Sequence, residues 1–291
     1  MTTAGAALTD ALRDNIDRLF DAEPEVRIDS DDSVHRMRVA TRRLRSVLRS
    51  YKRILEPDPA TRMRAELAWL AGILGVARDA EVRAGRFAAL LDRYSDTDSG
   101  GAALDCARHR LVAAERDHYG TAHADILAAL NTDRYRAMRE ELSRWRTEPP
   151  LRESESSSDA MDLFESVLRR DRKRVRRQIR AEPTVAPNER IELLHDIRKS
   201  AKRLRYSCEA AAPVLGDRAT ALGTRAKTLQ TILGDHRDAV QAHDAILARA
   251  VEARAAGEDV TLFGVLADAE NTAAGRALAE YPAAAAEIDE S

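Results

Sequence analysis

Three short segments recur in the same order in the two halves of this 291-residue chain, at offsets of 159 to 160 residues. Phe20-Asp21-Ala22-Glu23-Pro24 matches Ile179-Arg180-Ala181-Glu182-Pro183. Val34-His35-x-Met37-Arg38-x-x-x-Arg42-Arg43-Leu44-Arg45 matches Leu194-His195-x-Ile197-Arg198-x-x-x-Lys202-Arg203-Leu204-Arg205. Ile73-Leu74-Gly75-x-x-Arg78-Asp79-Ala80 matches Ile232-Leu233-Gly234-x-x-Arg237-Asp238-Ala239. An ordered internal match restricts the fold to a unit that can be made twice. It predicts a first repeat over residues 1–146 and a second over 160–291. The Pro- and Ser-rich run over 147–159 reads as a flexible linker between them. A duplicated unit favours packing about a pseudo-twofold axis, which would set the two His/Arg segments around a shared cavity.

The repeated unit is helical. Only 4% of residues are aromatic, and Ala, Leu, Arg, Asp and Glu dominate, which is helical rather than strand composition. Apolar residues recur at helical spacing and no alternating pattern competes. The periodicity predicts helices over Ala4–Asp21, Val34–Leu55, Ala60–Tyr94, Leu111–Leu130 and Asp133–Trp145. In the second half it predicts Ala160–Arg180, Asn188–Ala212, Arg218–Ala256 and Thr261–Tyr281, followed by a frayed Ala-rich tail. Glu23-Pro24 should stop the first helix, Pro57 and Pro59 the second, and Asp96–Gly101 should form a loop. Gly75 and Gly234 fall inside long helices, which suits close helix approach. Trp69 and Trp145 read as core. Two cysteines, Cys106 and Cys208, give no disulfide framework. No signal-peptide pattern and no apolar run of membrane length is present, so a cytoplasmic protein is expected.

Charge is distributed unevenly. The net value of −2 predicts no anionic partner, but the Lys/Arg residues are concentrated. Eight lie in 34–55, eight in 169–180 and five in 195–205, together with only two acids, Asp171 and Asp196. The rest of the chain is strongly acidic. A concentrated basic site in an acidic shell focuses an anion onto one place. On the first basic helix Met37, Ala40, Leu44, Val47, Leu48, Tyr51, Ile54 and Leu55 share one face. His35, Arg38, Arg42, Arg45 and Arg49 form a stripe on another. Like charges one turn apart repel, which a solubilising face would avoid by interleaving acids. Arg outnumbers Lys, and its planar fork suits phosphate oxygens. Aromatics do not interleave with the stripes, as single-stranded nucleic acid would favour.

The His-x-x-Arg-x-x-x-Arg-Arg-Leu-Arg run, its second copy and the two Leu-Gly-x-x-Arg-Asp segments resemble the CHAD family, the conserved-histidine α-helical domain. The resemblance covers about residues 4 to 281. It implies an all-α fold of two pseudo-twofold-related bundles, about four helices each, around a basic central cavity. It also implies binding of inorganic polyphosphate and association with polyphosphate granules. Carried over to this chain, the binding positions are His35, Arg38, Arg42, Arg45, His195, Arg198, Lys202 and Arg205. Arg43, Lys199 and Arg203 are additions, as are Lys173, Arg177 and Arg180 on the preceding basic helix. The opening helix of the first copy departs from this pattern, with Arg13 and Arg18 where the second has a dense basic run.

No catalytic residue, cofactor or metal ligand is assigned, and no protein partner is identified. His195-Asp196 and Asp235-His236-x-Asp238 superficially suggest a metal phosphohydrolase. The cationic surroundings of His195 disfavour a divalent ion, and Ala77 stands where a first-copy partner of His236 would be. The readings left open are a polyphosphate binder, a metal-dependent phosphohydrolase or phosphotransferase, and a nucleic-acid-binding module.

Overall fold

The computed structural model describes residues 2–94 and 101–290. The helices are α1 (Ala4–Arg27), α2 (Ser33–Ser50), α3 (Pro57–Asp92), α4 (Gly101–Ala107), α5 (Ala114–Leu130) and α6 (Asp133–Trp145). They continue as α7 (Glu153–Ser156), α8 (Ala160–Ala181), α9 (Pro187–Leu215), α10 (Asp217–Ala255) and α11 (Thr261–Glu290). A π-helical turn, Arg108–Ala113, joins α4 to α5. Among the described residues the extended pairings are two isolated bridges, Thr3 with Asp159 and Leu55 with Leu151. The protein is thus all-α, as its composition requires. No described helix is long and apolar enough to cross a membrane. The loop expected at Asp96–Gly101 lies outside the described residues except for Gly101, which opens α4.

The chain forms two compact units, each drawing on both halves of the sequence. One comprises Met1–Leu74, Ile126–Gln230 and Ala283–Ser291, and the other Gly75–Asp125 and Thr231–Pro282. In the first unit α1 packs on α2, α8 packs on α9, and the two hairpins meet through α2 with α9 and α1 with α8. Leu8, Leu12, Ile16 and Leu19 of α1 are fully buried, and so is every residue predicted on the apolar face of the basic helix, from Met37 to Leu55. In the second unit Phe87, Leu90 and Leu91 of α3 pack with Leu111, Ile246, Phe263 and Leu266. Arg86 there meets Glu270, which is only 2% exposed. Gly75 and Gly234 are both buried.

Several expected boundaries shift, each for a local reason. Helix α1 runs through Pro24 to Arg27. Proline removes one helical hydrogen bond, but the preceding Glu23 is buried and ties the turn down. Its Oε1 accepts from Arg27 Nε at 3.0 Å, and its Oε2 from the Tyr135 hydroxyl at 2.8 Å. In the second copy the same Glu-Pro pair does end the helix, entering a 3₁₀ turn at Glu182–Thr184. Helix α2 stops at Ser50, and Tyr51 to Leu55 reach the core as a turn instead. Pro57 and Pro59 open α3 rather than closing α2, since a first helical turn needs no N–H from proline. Helix α11 continues past Pro282 to Glu290, with Ala284, Ala285 and Ile288 buried, so the tail is not frayed. Trp145 is core, whereas Trp69 is half-buried beneath the Arg134 guanidinium, 4.3 Å from the ring.

The segment read as a flexible linker follows a fixed path. Glu56 N–H donates to Pro150 O at 2.8 Å and Arg152 N–H to Ile54 O at 2.9 Å. At its other end Ala4 N–H donates to Ser158 O at 2.9 Å and Ala160 N–H to Thr2 O at 3.2 Å, holding the starts of α1 and α8 together. A Cβ placed on Gly5 would come within 2.9 Å of Ser156 Cβ, so glycine is what lets the strap approach α1.

Candidate anion-binding site

The amphipathic pattern of α2 and α9 dictates where the stripes end up. With Met37, Leu44 and Leu48 buried on one helix and Ile197, Ala201 and Leu204 on the other, the basic residues sit at the edge of the core. All eight stripe positions, His35, Arg38, Arg42, Arg45, His195, Arg198, Lys202 and Arg205, are half-buried, in the first copy and the second alike. They lie in one compact unit, on two helices that pack against each other.

Half-burial makes this charge expensive. Desolvation, together with the neighbouring Arg64 and Arg49 guanidiniums, pushes the Arg45 pKa down from its ordinary value. Arg64, on α3, was not singled out by the sequence, because nothing in its local spacing ties it to the α2 stripe. Among the described residues no hydrogen-bond partner reaches the buried Nε of Arg42. A guanidinium donor shielded from water and unmatched by an acceptor is a cost that a bound anion would remove.

The three flanking additions are held by acids of the protein. Lys199 pairs with Asp196 at 2.6 Å, and Arg43 lies 2.9 Å from Glu209. Arg205 also pairs with Glu209, at 2.9 Å, and the guanidiniums of Arg43 and Arg205 lie 5.8 and 5.4 Å from the buried Tyr206 ring. Arg203 reaches Asp171 at 2.8 Å. Asp171 is 2% exposed, and its Oδ2 accepts from the hydroxyls of Ser50 at 2.7 Å and Ser207 at 2.8 Å. This knot ties α2, α8 and α9 together beneath the stripes. Burial lowers the Arg203 pKa, and the Asp171 charge opposes the shift. The Tyr51 hydroxyl donates to Ser207 O at 3.1 Å beside it, and its ring packs 4.6 Å from Phe164. Sequence spacing could not reveal the knot, because Ser50 lies 121 to 157 residues from Asp171, Arg203 and Ser207, and those three stand on two different helices.

Lys173, Arg177 and Arg180 stand on the exposed face of α8 and line a groove of about 960 Å³ with the start of α10. Arg180 donates to Asp289 of α11 at 3.0 Å. Arg218 and Arg225 of α10 also line it, and no basic run marked them in the sequence. Among the described residues no group of three or more His, Cys, Asp or Glu side chains converges as a metal site.

The geometry defines an all-helical protein presenting matched His/Arg stripes from two packed helices. The chain belongs to the CHAD domain family, whose model matches residues 10–247. Two uncharacterized proteins of Mycobacterium tuberculosis are 33% identical over 279 residues, 96% of this chain and 52% of each relative. The chain therefore spans about half the length of the curated relatives it matches. Among solved structures, PptA from Streptomyces chartreusis is similar at a TM-score of 0.80 and 21% identity, over 97% of this chain and 99% of that one. The CHAD domain from the plant Ricinus communis is similar at a TM-score of 0.70 and 22% identity, over 100% of this chain and 93% of that one. These likenesses establish the shared helical fold.

Proposed function

We propose that this chain binds inorganic polyphosphate along the stripes of α2 and α9, as a binder and not an enzyme, and that it acts at cytoplasmic polyphosphate granules. The carrying observation is the matched half-burial of the eight His, Arg and Lys residues on two helices in contact. A solubilising face would be exposed and laced with acids. A half-desolvated row of guanidiniums suits a ligand with a charge on every unit, and membership in the CHAD family supports the same class of ligand. Lys173, Arg177 and Arg180 would extend the attraction from α8. Binding dominated by phosphate charge should weaken steeply with salt, by about a thousand-fold between roughly 50 and 200 mM if six or more phosphates are contacted. The test is titration with polyphosphate of defined length, RNA and DNA at equal phosphate concentration, with polyphosphate chain length followed afterwards. Preferential, strongly salt-dependent binding without shortening is expected. Metal-dependent shortening would make the chain a phosphohydrolase, and equal competition by RNA or DNA would make it a general nucleic-acid binder.

A further inference from the structure

The groove beside α8 has a chemistry that a bare phosphate chain would leave unused. Its rim is cationic, with six Lys/Arg of α8 between Arg169 and Arg180 facing Arg218 and Arg225 of α10. The acid on its lining, Glu165, is engaged by Arg218 at 2.9 Å. Its floor is apolar, built from Leu168, Leu215, Ala219, Ala221 and Leu222. Along α8 the lining runs from Glu165 to Arg180, about 22 Å at the helical rise. A volume of about 960 Å³ over that length is a trough, shaped for a chain segment more than for a compact metabolite.

The protein itself shows what meets this arginine face. In the last turn of α11, Ile288 O accepts from Arg172 Nε at 3.1 Å, and Asp289 accepts from Arg176 at 2.6 Å and from Arg180 at 3.0 Å. The Ile288 side chain is fully buried. An apolar residue beside an acid, on a helix, thus satisfies α8. Nor is the basic face a property of the repeat: Asp10, Asp14, Asp17 and Asp21 of α1 stand at the positions of Arg169, Lys173, Arg176 and Arg180.

We propose that the trough docks an acidic amphipathic helix of a partner protein, with large aliphatic side chains on the Leu215–Leu222 floor and carboxylates against Arg169, Lys173 and Arg177, the α8 cations outside the α11 contact. The proposal goes beyond polyphosphate binding and stands on residues outside the α2 and α9 stripes.

The probe is a labelled synthetic peptide of about 14 residues, with Leu at helical spacing and Glu elsewhere. It is titrated beside a scrambled peptide of the same composition and beside inorganic polyphosphate. The patterned peptide should bind at least about ten-fold more tightly than the scrambled one. Leu222→Gln and Arg177→Glu should each remove about ten-fold of that affinity, and Leu222→Gln should leave polyphosphate binding unchanged. Arg42→Glu should weaken polyphosphate and spare the peptide, so the two readings fail separately. Equal binding of the scrambled peptide, or indifference to Leu222→Gln, would overturn the docking site. A loss of polyphosphate binding in Leu222→Gln would assign the trough to the phosphate chain instead.

Discussion

Helices α1 and α8 hold equivalent places in the sequence repeat and have been put to different uses. At an offset of 159 residues, four aspartates along α1 correspond to four Lys/Arg along α8. The divergence reaches the interior: the fully buried Leu12 corresponds to the buried Asp171, and Gly5 to the fully buried Phe164. Helices α2 and α9 diverge far less, keeping both the apolar face and the cationic stripe with the same half-burial. The difference teaches that the two copies agree where both must supply the same charge at the same depth. They part where one helix takes on a separate contact: the strap over Gly5 on α1, the polar knot and basic trough on α8.

The sharpest way to break this comparison is at Asp171 and Leu12. Asp171→Ala leaves the Arg203 guanidinium, 15% exposed, without its counter-charge, and should cost about 3–5 kcal/mol in urea unfolding. Leu12→Ala should cost about 2–5 kcal/mol through the cavity alone. The two are separated by a rescue. Asp171→Leu, which places the first copy's Leu12 side chain at this position, combined with Arg203→Met, which removes the stranded guanidinium, should recover most of the loss, because an apolar replacement of a buried pair is often neutral. A double variant as unstable as Asp171→Ala would mean the knot supplies more than a filled space.

At the other divergent position, Phe164→Ala should cost about 3–5 kcal/mol and Gly5→Ala about 1–3 kcal/mol, since one empties the core beside Tyr51 and the other pushes against Ser156. Equal costs, read from thermal unfolding, would undo the distinction between a packed α8 and a strapped α1.

The smallest effect should come at the α8–α11 contact. The Arg176 and Arg180 guanidiniums hold the Asp289 carboxyl below its usual range. A carboxylate depressed in the folded state stabilises the contact above its ordinary pKa, and that contribution is lost as pH falls through the depressed value. Hydrogen exchange over residues 283–290 should therefore quicken in Asp289→Asn, and in the native protein as pH drops below about 4 once intrinsic rates are corrected. Unchanged protection in both cases would show that Ile288 and its backbone alone fix the turn.

Much of this was legible in the chain itself, for a physical reason: a helix writes its burial into a 3.6-residue period. Met37 through Leu55 were placed on one face by spacing, and all of that face is buried, even where Tyr51 to Leu55 leave the helix. The stripe residues were legible in the same way, as were Leu8, Leu12, Ile16 and Leu19. What period cannot encode is which distant groups meet. Asp171 with Ser50, Ser207 and Arg203, Glu209 between Arg43 and Arg205, and Arg64 beside Arg45 exist only after the helices pack. Proline misled in both directions, because its effect depends on neighbours: Glu23 holds the α1 turn around Pro24, and Pro57 starts a helix where it was expected to end one. The strap over 147–159 was hidden because its order comes from backbone bonds, to which composition is blind.

The central claim, that the α2 and α9 stripes act together on a polyanion, is tested most directly by reversing one matched residue on each helix. Arg42→Glu and Lys202→Glu occupy equivalent positions, and each should lower polyphosphate affinity by more than about ten-fold, with helicity by circular dichroism unchanged. Affinity that stays at the wild-type level in either variant would contradict a site shared by the two helices.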